Sequence, residues 1–202
     1  MNSPRKIYVA STNQGKLWEY RALAQDAKAE VSLELLPGIE GMPAFEEVAP
    51  TFGENAVGKA LYYSRLSDVP ILADDSGLVV TSLGGAPGVK SARYAGDNAT
   101  NGERIEKLLR ELNGKKGPER AAHFVCVIAL ARYGRAGTIV SERVDGCILE
   151  STYGESGFGY DPVFFFPHLK KTFAELSTEE KNKYSHRGKA FRRLLAALPE
   201  VL

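Results

Sequence analysis

Three apolar residues, Ile71, Leu72 and Ala73, run straight into two adjacent carboxylates, Asp74 and Asp75. Placing paired carboxylates beside a buried strand costs free energy unless a cation lies next to them. Hard carboxylate oxygens at a strand end suit Mg2+, which keeps several waters and bridges to substrate phosphate. One of the pair could instead take a proton from an attacking water. On a straight strand the two side chains would face opposite ways. The reading therefore places them on a turn at Ser76-Gly77, between strands 70–73 and 78–83, that brings both to one rim. The same residue types also make a plain Asp-rich turn.

Other segments carry groups of matching chemistry. Ser11, Thr12, Asn13, Gln14, Gly15 and Lys16 follow a short apolar run and open a helix. Backbone N–H groups and a cation would then converge on one spot, as a phosphate requires. The segment is not a Walker loop, because Ala10 and Leu17 stand where that motif needs glycine and a hydroxyl. Glu46 or Glu47 could add a second metal carboxylate. Asn55 and Lys59, four residues apart, share a helix face from which Lys59 could meet phosphate. Phe158 lies between Gly157 and Gly159, so its ring face is open to a stacked base, with Asp161 as an acceptor nearby. His186 and Arg187 occupy a helical first turn, where cations oppose the helix dipole. Each segment also has a structural reading: a helix cap with a solvated lysine, an anion near a helix start, a core Phe at a bend, a solvated basic turn.

The elements that must position these groups alternate at first and then run antiparallel. Ile7–Ala10 and 31–36 read as strands around a helix whose apolar face is Leu17, Tyr20, Leu23, Ala24 and Ala27. Thr51 and Glu54 have capping-box spacing and open a helix to about Leu66 that buries Ala56, Val57, Ala60 and Leu61. Thr100 with Glu103, and Ser177 with Glu180, repeat that spacing. Residues 121–133 and 137–150 read as neighbouring antiparallel strands, and 162–166 as another. The loop 84–96 could close over a ligand or simply connect, and it is the nearest thing to a lobe boundary. The expectation is α/β, a mixed sheet flanked by helices.

Composition excludes several classes. The 202 residues, 44% apolar, suffice for one sizeable core or two lobes sharing one. Lys plus Arg total 26 against 25 acidic residues, a balance that argues against a nucleic-acid binder or a polybasic anchor. Cys126 and Cys147 lack metal or redox spacing and read as reduced thiols of a cytoplasmic protein. The apolar run at Ile7 is too short for a signal peptide, and none is long enough for a membrane span.

Taken together, six segments in order resemble the noncanonical purine nucleoside triphosphate pyrophosphatases, also called inosine triphosphate pyrophosphatases. They are Ser11–Lys16, Phe52–Lys59, Ala73–Leu78, Gly84–Tyr94, Gly157–Pro162 and Ser185–Gly188, and the likeness runs from residue 7 to 198. Ser11 and Thr12 replace the threonine and glycine many members carry. The resemblance implies one domain over 1–202, an elongated mixed sheet with two lobes, and a site in the cleft between them. It implies hydrolysis of inosine, deoxyinosine and xanthosine triphosphates to monophosphate and pyrophosphate, with Mg2+, in a homodimer. Ser11 to Lys16 would hold the triphosphate, and Glu47 (or Glu46) and Asp75 the metal. Asp75 would be the general base beside Asp74, and Lys59 and Lys181 would meet phosphate or nucleotide. Ser76 would contact substrate, while Phe158, Gly159, Tyr160, Asp161, His186 and Arg187 would enclose the base.

Overall fold

A computed structural model describes residues 4–198; the ends of the 1–202 span lie outside the described residues. The strands are β1 (Arg5–Val9), β2 (Val31–Leu35), β3 (Ile71–Val80), β4 (Ala121–Arg132), β5 (Arg135–Ile148), β6 (Phe164–Phe166) and β7 (Lys171–Thr172). The helices are α1 (Gln14–Asp26), α2 (Phe52–Ser64), α3 (Asn101–Glu111), α4 (Thr178–Tyr184) and α5 (His186–Ala197). The strands form one mixed seven-stranded sheet in the order β2-β1-β3-β4-β5-β6-β7. β1 runs parallel to β2 and β3, with Ile7 opposite Leu33 and Val9 opposite Leu72, whereas β5-β6 and β6-β7 are antiparallel.

The chain divides into two compact units. The first comprises Met1–Asp75, Cys126–Glu142 and Arg187–Leu202. Its core joins Ile7 and Val9 of β1, Leu72 of β3 and Ile128 and Leu130 of β4 to Leu17, Tyr20 and Leu23 of α1 and Phe191 and Leu194 of α5. The Tyr20 and Phe191 rings meet with centroids 5.2 Å apart. The apolar spacing of α1 does what the sequence implied, except that Ala27 ends the helix instead of extending its face.

The second unit comprises Ser76–Val125 and Arg143–His186. Its core gathers Leu78, Ile105, Leu108, Phe124, Val144, Phe164 and Phe173. Of the three expected capping boxes, Thr100 with Glu103 at α3 and Ser177 with Glu180 at α4 are fully made, whereas at α2 only the Thr51 half forms, its hydroxyl accepting the Glu54 N–H at 3.2 Å. Arg120 is buried and satisfied by carbonyls alone, donating to Ile148 at 2.6 Å, Leu149 at 2.7 Å and Leu112 at 3.0 Å.

Four expectations are corrected. Residues 74–77 form no turn: β3 is one ten-residue strand, and Leu78 and Val80 beyond the acidic pair are fully buried. Turn-forming types yielded to the sheet, because each Asp finds a partner on its own face (below). The units divide at Asp75/Ser76, within β3, not in the loop 84–96, which contains the 3-10 turn Gly88–Arg93. On α2 the deepest face includes Asn55 and Lys59, while Val57 and Leu61 are only half-buried. β6 starts at Phe164, because the N–H groups of Asp161 and Val163 turn back to the carbonyls of Phe158 and Tyr160.

Candidate active site

In the first unit α1 begins where β1 ends, and its N-cap is Asn13, whose side chain accepts the Lys16 N–H at 3.3 Å. Ser11 Oγ accepts the Asn13 N–H at 3.0 Å. This short turn leaves Thr12, Asn13, Gln14 and Gly15 exposed at a helix N-terminus, with Ser11 and Lys16 half-buried. The Lys16 ammonium points back to β3, 3.0 Å from Asp74 Oδ1.

Asp74 and Asp75 face opposite ways along β3, and their surroundings differ accordingly. Asp74 is fully buried among cations: Lys16, the Arg187 Nε at 3.8 Å, and Lys59, whose Nζ donates to the Asp74 carbonyl at 2.7 Å. Burial alone would raise its acid, but Lys16, Arg187 and Lys59 hold it well below the usual carboxylate range. Arg187 is itself buried and pairs with Glu19 of α1.

Asp75 accepts one hydrogen bond, from Asn55 Nδ2 at 3.0 Å, and among the described residues it makes no ion pair. Burial pushes it up to about 6; the Asn55 bond restrains the rise and the Glu47 charge adds to it. Glu47 is half-buried and pairs with Lys59, whereas Glu46 is exposed. Lys59 is buried, which alone would lower its pKa, yet Asp74, Glu47 and Asp75 raise it. The two neighbouring carboxylates thus have opposite surroundings: Asp74 is held ionised among cations, while burial raises the pKa of Asp75.

A divalent cation is implied by the family resemblance, and the donors fit one. Asp75 and Glu47 repel each other enough to raise the acid of Asp75. No group of three or more His, Cys, Asp and Glu able to hold a metal occurs among the described residues. Two carboxylates completed by water and substrate phosphate is the pattern Mg2+ favours.

In the second unit Asp161 Oδ2 takes the Phe158 N–H at 3.0 Å and Lys181 Nζ at 2.7 Å. Lys181 also lies 5.1 Å from the centroid of the Phe158 ring, which is 39% exposed. Gly157 has φ +82°, and a Cβ there would stand 2.2 Å from Asp161 Oδ2 and 3.0 Å from Lys181 Nζ. Gly159 is half-buried, but Tyr160 is buried, its hydroxyl donating to the Ser91 carbonyl at 2.9 Å. The His186 ring stacks on Phe124, centroids 4.7 Å apart, and Ser76 is half-buried on β3. Ser11 to Lys16, Glu47, Lys59, Asp74, Asp75 and Arg187 therefore belong to the first unit, and Ser76, Phe158 to Asp161, Lys181 and His186 to the second. Sequence reasoning missed Glu19; its place three residues beyond Lys16, on the same helix side, is the signal that could have found it.

Comparison with known proteins gives a consistent result. A protein of Geobacillus kaustophilus named dITP/XTP pyrophosphatase is 48% identical over 198 residues, covering 98% of this chain and 96% of its own. One of Desulfotalea psychrophila with the same name is 45% identical, covering 97% and 86%. The solved structure of a HAM1 protein from Coxiella burnetii superimposes with a TM-score of 0.85 at 42% identity, over 97% of this chain and 99% of that one. A sequence model of the Ham1 family matches residues 7–197, and the chain belongs to that family.

Proposed function

We propose that the chain is a Mg2+-dependent pyrophosphatase that hydrolyses the triphosphates of inosine, deoxyinosine and xanthosine to monophosphate and pyrophosphate. The observation that carries this reading is Asp75: a buried carboxylate held by Asn55, pushed up to about 6, with Glu47 for a neighbour and no ion pair of its own among the described residues. The names of the relatives support the substrate class.

Glu47 and Asp75 would hold the ion. When bound, Mg2+ neutralises phosphate charge and so lowers the barrier to attack at phosphorus. The start of α1, where Thr12, Asn13, Gln14 and Gly15 are exposed, would take the phosphate oxygens, and Lys16 and Lys59 would add positive charge. Asp75 accepts the proton of an in-line water, and Asp74 stays charged and keeps Lys16 in place. Ser76 contacts substrate. Phe158 offers its exposed ring face to the base, while Gly159, Tyr160 and Asp161 shape that surface and Lys181 holds Asp161. Donors from His186, Arg187 or backbone would match the six-carbonyl of hypoxanthine or xanthine. Adenine, with an amine there, would leave such donors unpaired, a mismatch worth about 10⁴-fold in a buried site.

The free thiols Cys126 and Cys147 support work on a nucleotide pool in the reducing cytoplasm, and the family resemblance supports a homodimer; among the described residues no helix is long and apolar enough to cross a membrane. Turnover of inosine, deoxyinosine, xanthosine, guanosine and deoxyuridine triphosphates with and without Mg2+, with products identified, tests the reading. The first three should be cleaved to pyrophosphate only with the ion present. Equal rates on all five would defeat the purine assignment, and orthophosphate as product would move the cut to another bond. Asp75→Asn should lose about 10³-fold or more in kcat while still binding nucleotide; near-parent activity would remove Asp75 as base.

A further inference from the structure

Asn55 is fully buried in the first turns of α2, and its carboxamide is spoken for atom by atom. Oδ1 accepts the Ala49 N–H at 3.0 Å, and Nδ2 donates both to the Ala49 carbonyl at 3.3 Å and to Asp75 Oδ2 at 3.0 Å. The first two bonds close a ring on one backbone residue, which needs a donor and an acceptor side by side; a carboxylate or hydroxyl cannot do it. The reverse orientation would set the amide oxygen against the Ala49 carbonyl and the Asp75 carboxylate, so the network fixes which way the group points.

Ala49 belongs to the strap that carries Glu47, which is tightened by the Val48 N–H bonding to the Glu46 carbonyl at 3.0 Å. One helical turn along α2, Lys59 reaches the Glu47 carboxylate and, at 2.7 Å, the Asp74 carbonyl. Residues four apart share a helix face. α2 therefore presents two rungs, and each ties the strap to β3.

We infer that Asn55 is a positioning residue for the metal-binding pair: it fixes the Glu47 strap and the Asp75 carboxylate to one rigid helix, so their separation is set before a cation arrives. This rests on the reading that Glu47 and Asp75 take the metal. Asn55→Ala removes all three bonds. Asn55→Asp keeps the shape and the acceptor for the Ala49 N–H, but loses both donors and opposes Asp75 with a like charge.

The test titrates Mn2+, followed by its electron paramagnetic resonance, into the full chain saturated with nonhydrolysable α,β-methylene dITP. Both Asn55 variants should bind Mn2+ about 10- to 100-fold more weakly than the parent, the usual cost of removing a group that orients a metal ligand. The Ala49 amide proton should also exchange faster in Asn55→Ala. Should that variant fail to fold, the isosteric Asn55→Asp carries the test. Ser64→Ala is the control: Ser64 lies on α2 but bonds Leu61 and Gly134, not the strap, so Mn2+ affinity should stay at the parent value. An equal loss in Ser64→Ala would reduce Asn55 to general packing, and unchanged Mn2+ binding in both Asn55 variants would overturn the inference. A parent that binds no Mn2+ beside the nucleotide would instead overturn the pyrophosphatase reading beneath it.

Discussion

Asp74 and Asp75 are chemically identical and adjacent, yet the protein gives them opposite proton affinities. Asp75 is raised to about 6 by burial, above the roughly 3.9 of an unfolded chain. The folded state therefore binds that proton more tightly, and the stability linked to it, present at low pH, is lost as pH rises through about 6. Asp74 is buried too, but Lys16, Arg187 and Lys59 lower it, so its contribution is present above the unfolded value and is lost on acidification. The two must respond oppositely to amidation in metal-free protein. With chelator at pH 8, Asp75→Asn should raise the thermal midpoint, and the gain should shrink by pH 5. Asp74→Asn should lower the midpoint at pH 8, by an amount matching about 3–5 kcal/mol for a broken buried pair. Matching shifts in both variants would refute the division of roles. The acidic pair itself was legible in the sequence, because charge directly after an apolar run is conspicuous. Its division was not, since Lys16, Asn55 and Arg187 come from three separate stretches of chain.

At the scale of elements, sequence reading did best where structure is set locally. The capping boxes of α3 and α4 and the apolar face of α1 depend on residues three or four apart, and they form as read. It failed where distant partners override local preference. Asp, Ser and Gly favour a turn, but the buried ladder of β3 and cations from α1 and α2 keep 74–77 extended. Likewise Asn55 and Lys59 take a deep face of α2 because their polar ends meet partners there. The Phe158 loop offers a sharper test. Its backbone turns at Gly157 in a conformation L side chains rarely adopt, and a methyl group would collide with the Asp161–Lys181 pair. Gly157→Ala should raise KM for deoxyinosine triphosphate about tenfold or more, since a displaced substrate contact costs that much. The strained φ and the displaced pair should also lower the thermal midpoint by a few degrees. A parent-like KM would show that the pair tolerates displacement and does not shape base binding.

At the scale of the whole molecule, the near-balance of 26 basic against 25 acidic residues argues against the strongly basic character of a dedicated nucleic-acid binder. That expectation needed only counting. The sheet's mixed character was legible too, since helices separate the first strands while β4 and β5 follow each other closely. The unit boundary was not, because no composition shift marks Asp75/Ser76 inside an unbroken strand. The homodimer proposed above predicts a sedimenting mass twice the 22.0 kDa of one chain. A single-chain mass throughout the working concentration range would dismiss it.

The strand that carries both acids has a side-chain period of two. Its phase is therefore a catalytic parameter. Deleting one residue between Pro70 and Ala73 would slip the downstream sequence by one place and exchange the faces of every residue after it. Asp75 would then look toward Lys16 and the guanidinium of Arg187, Asp74 would move into the place of Ala73, and Ser76 would stand opposite Asn55. Both acids would survive in composition, yet the position that Asn55 faces would hold a hydroxyl and no carboxylate.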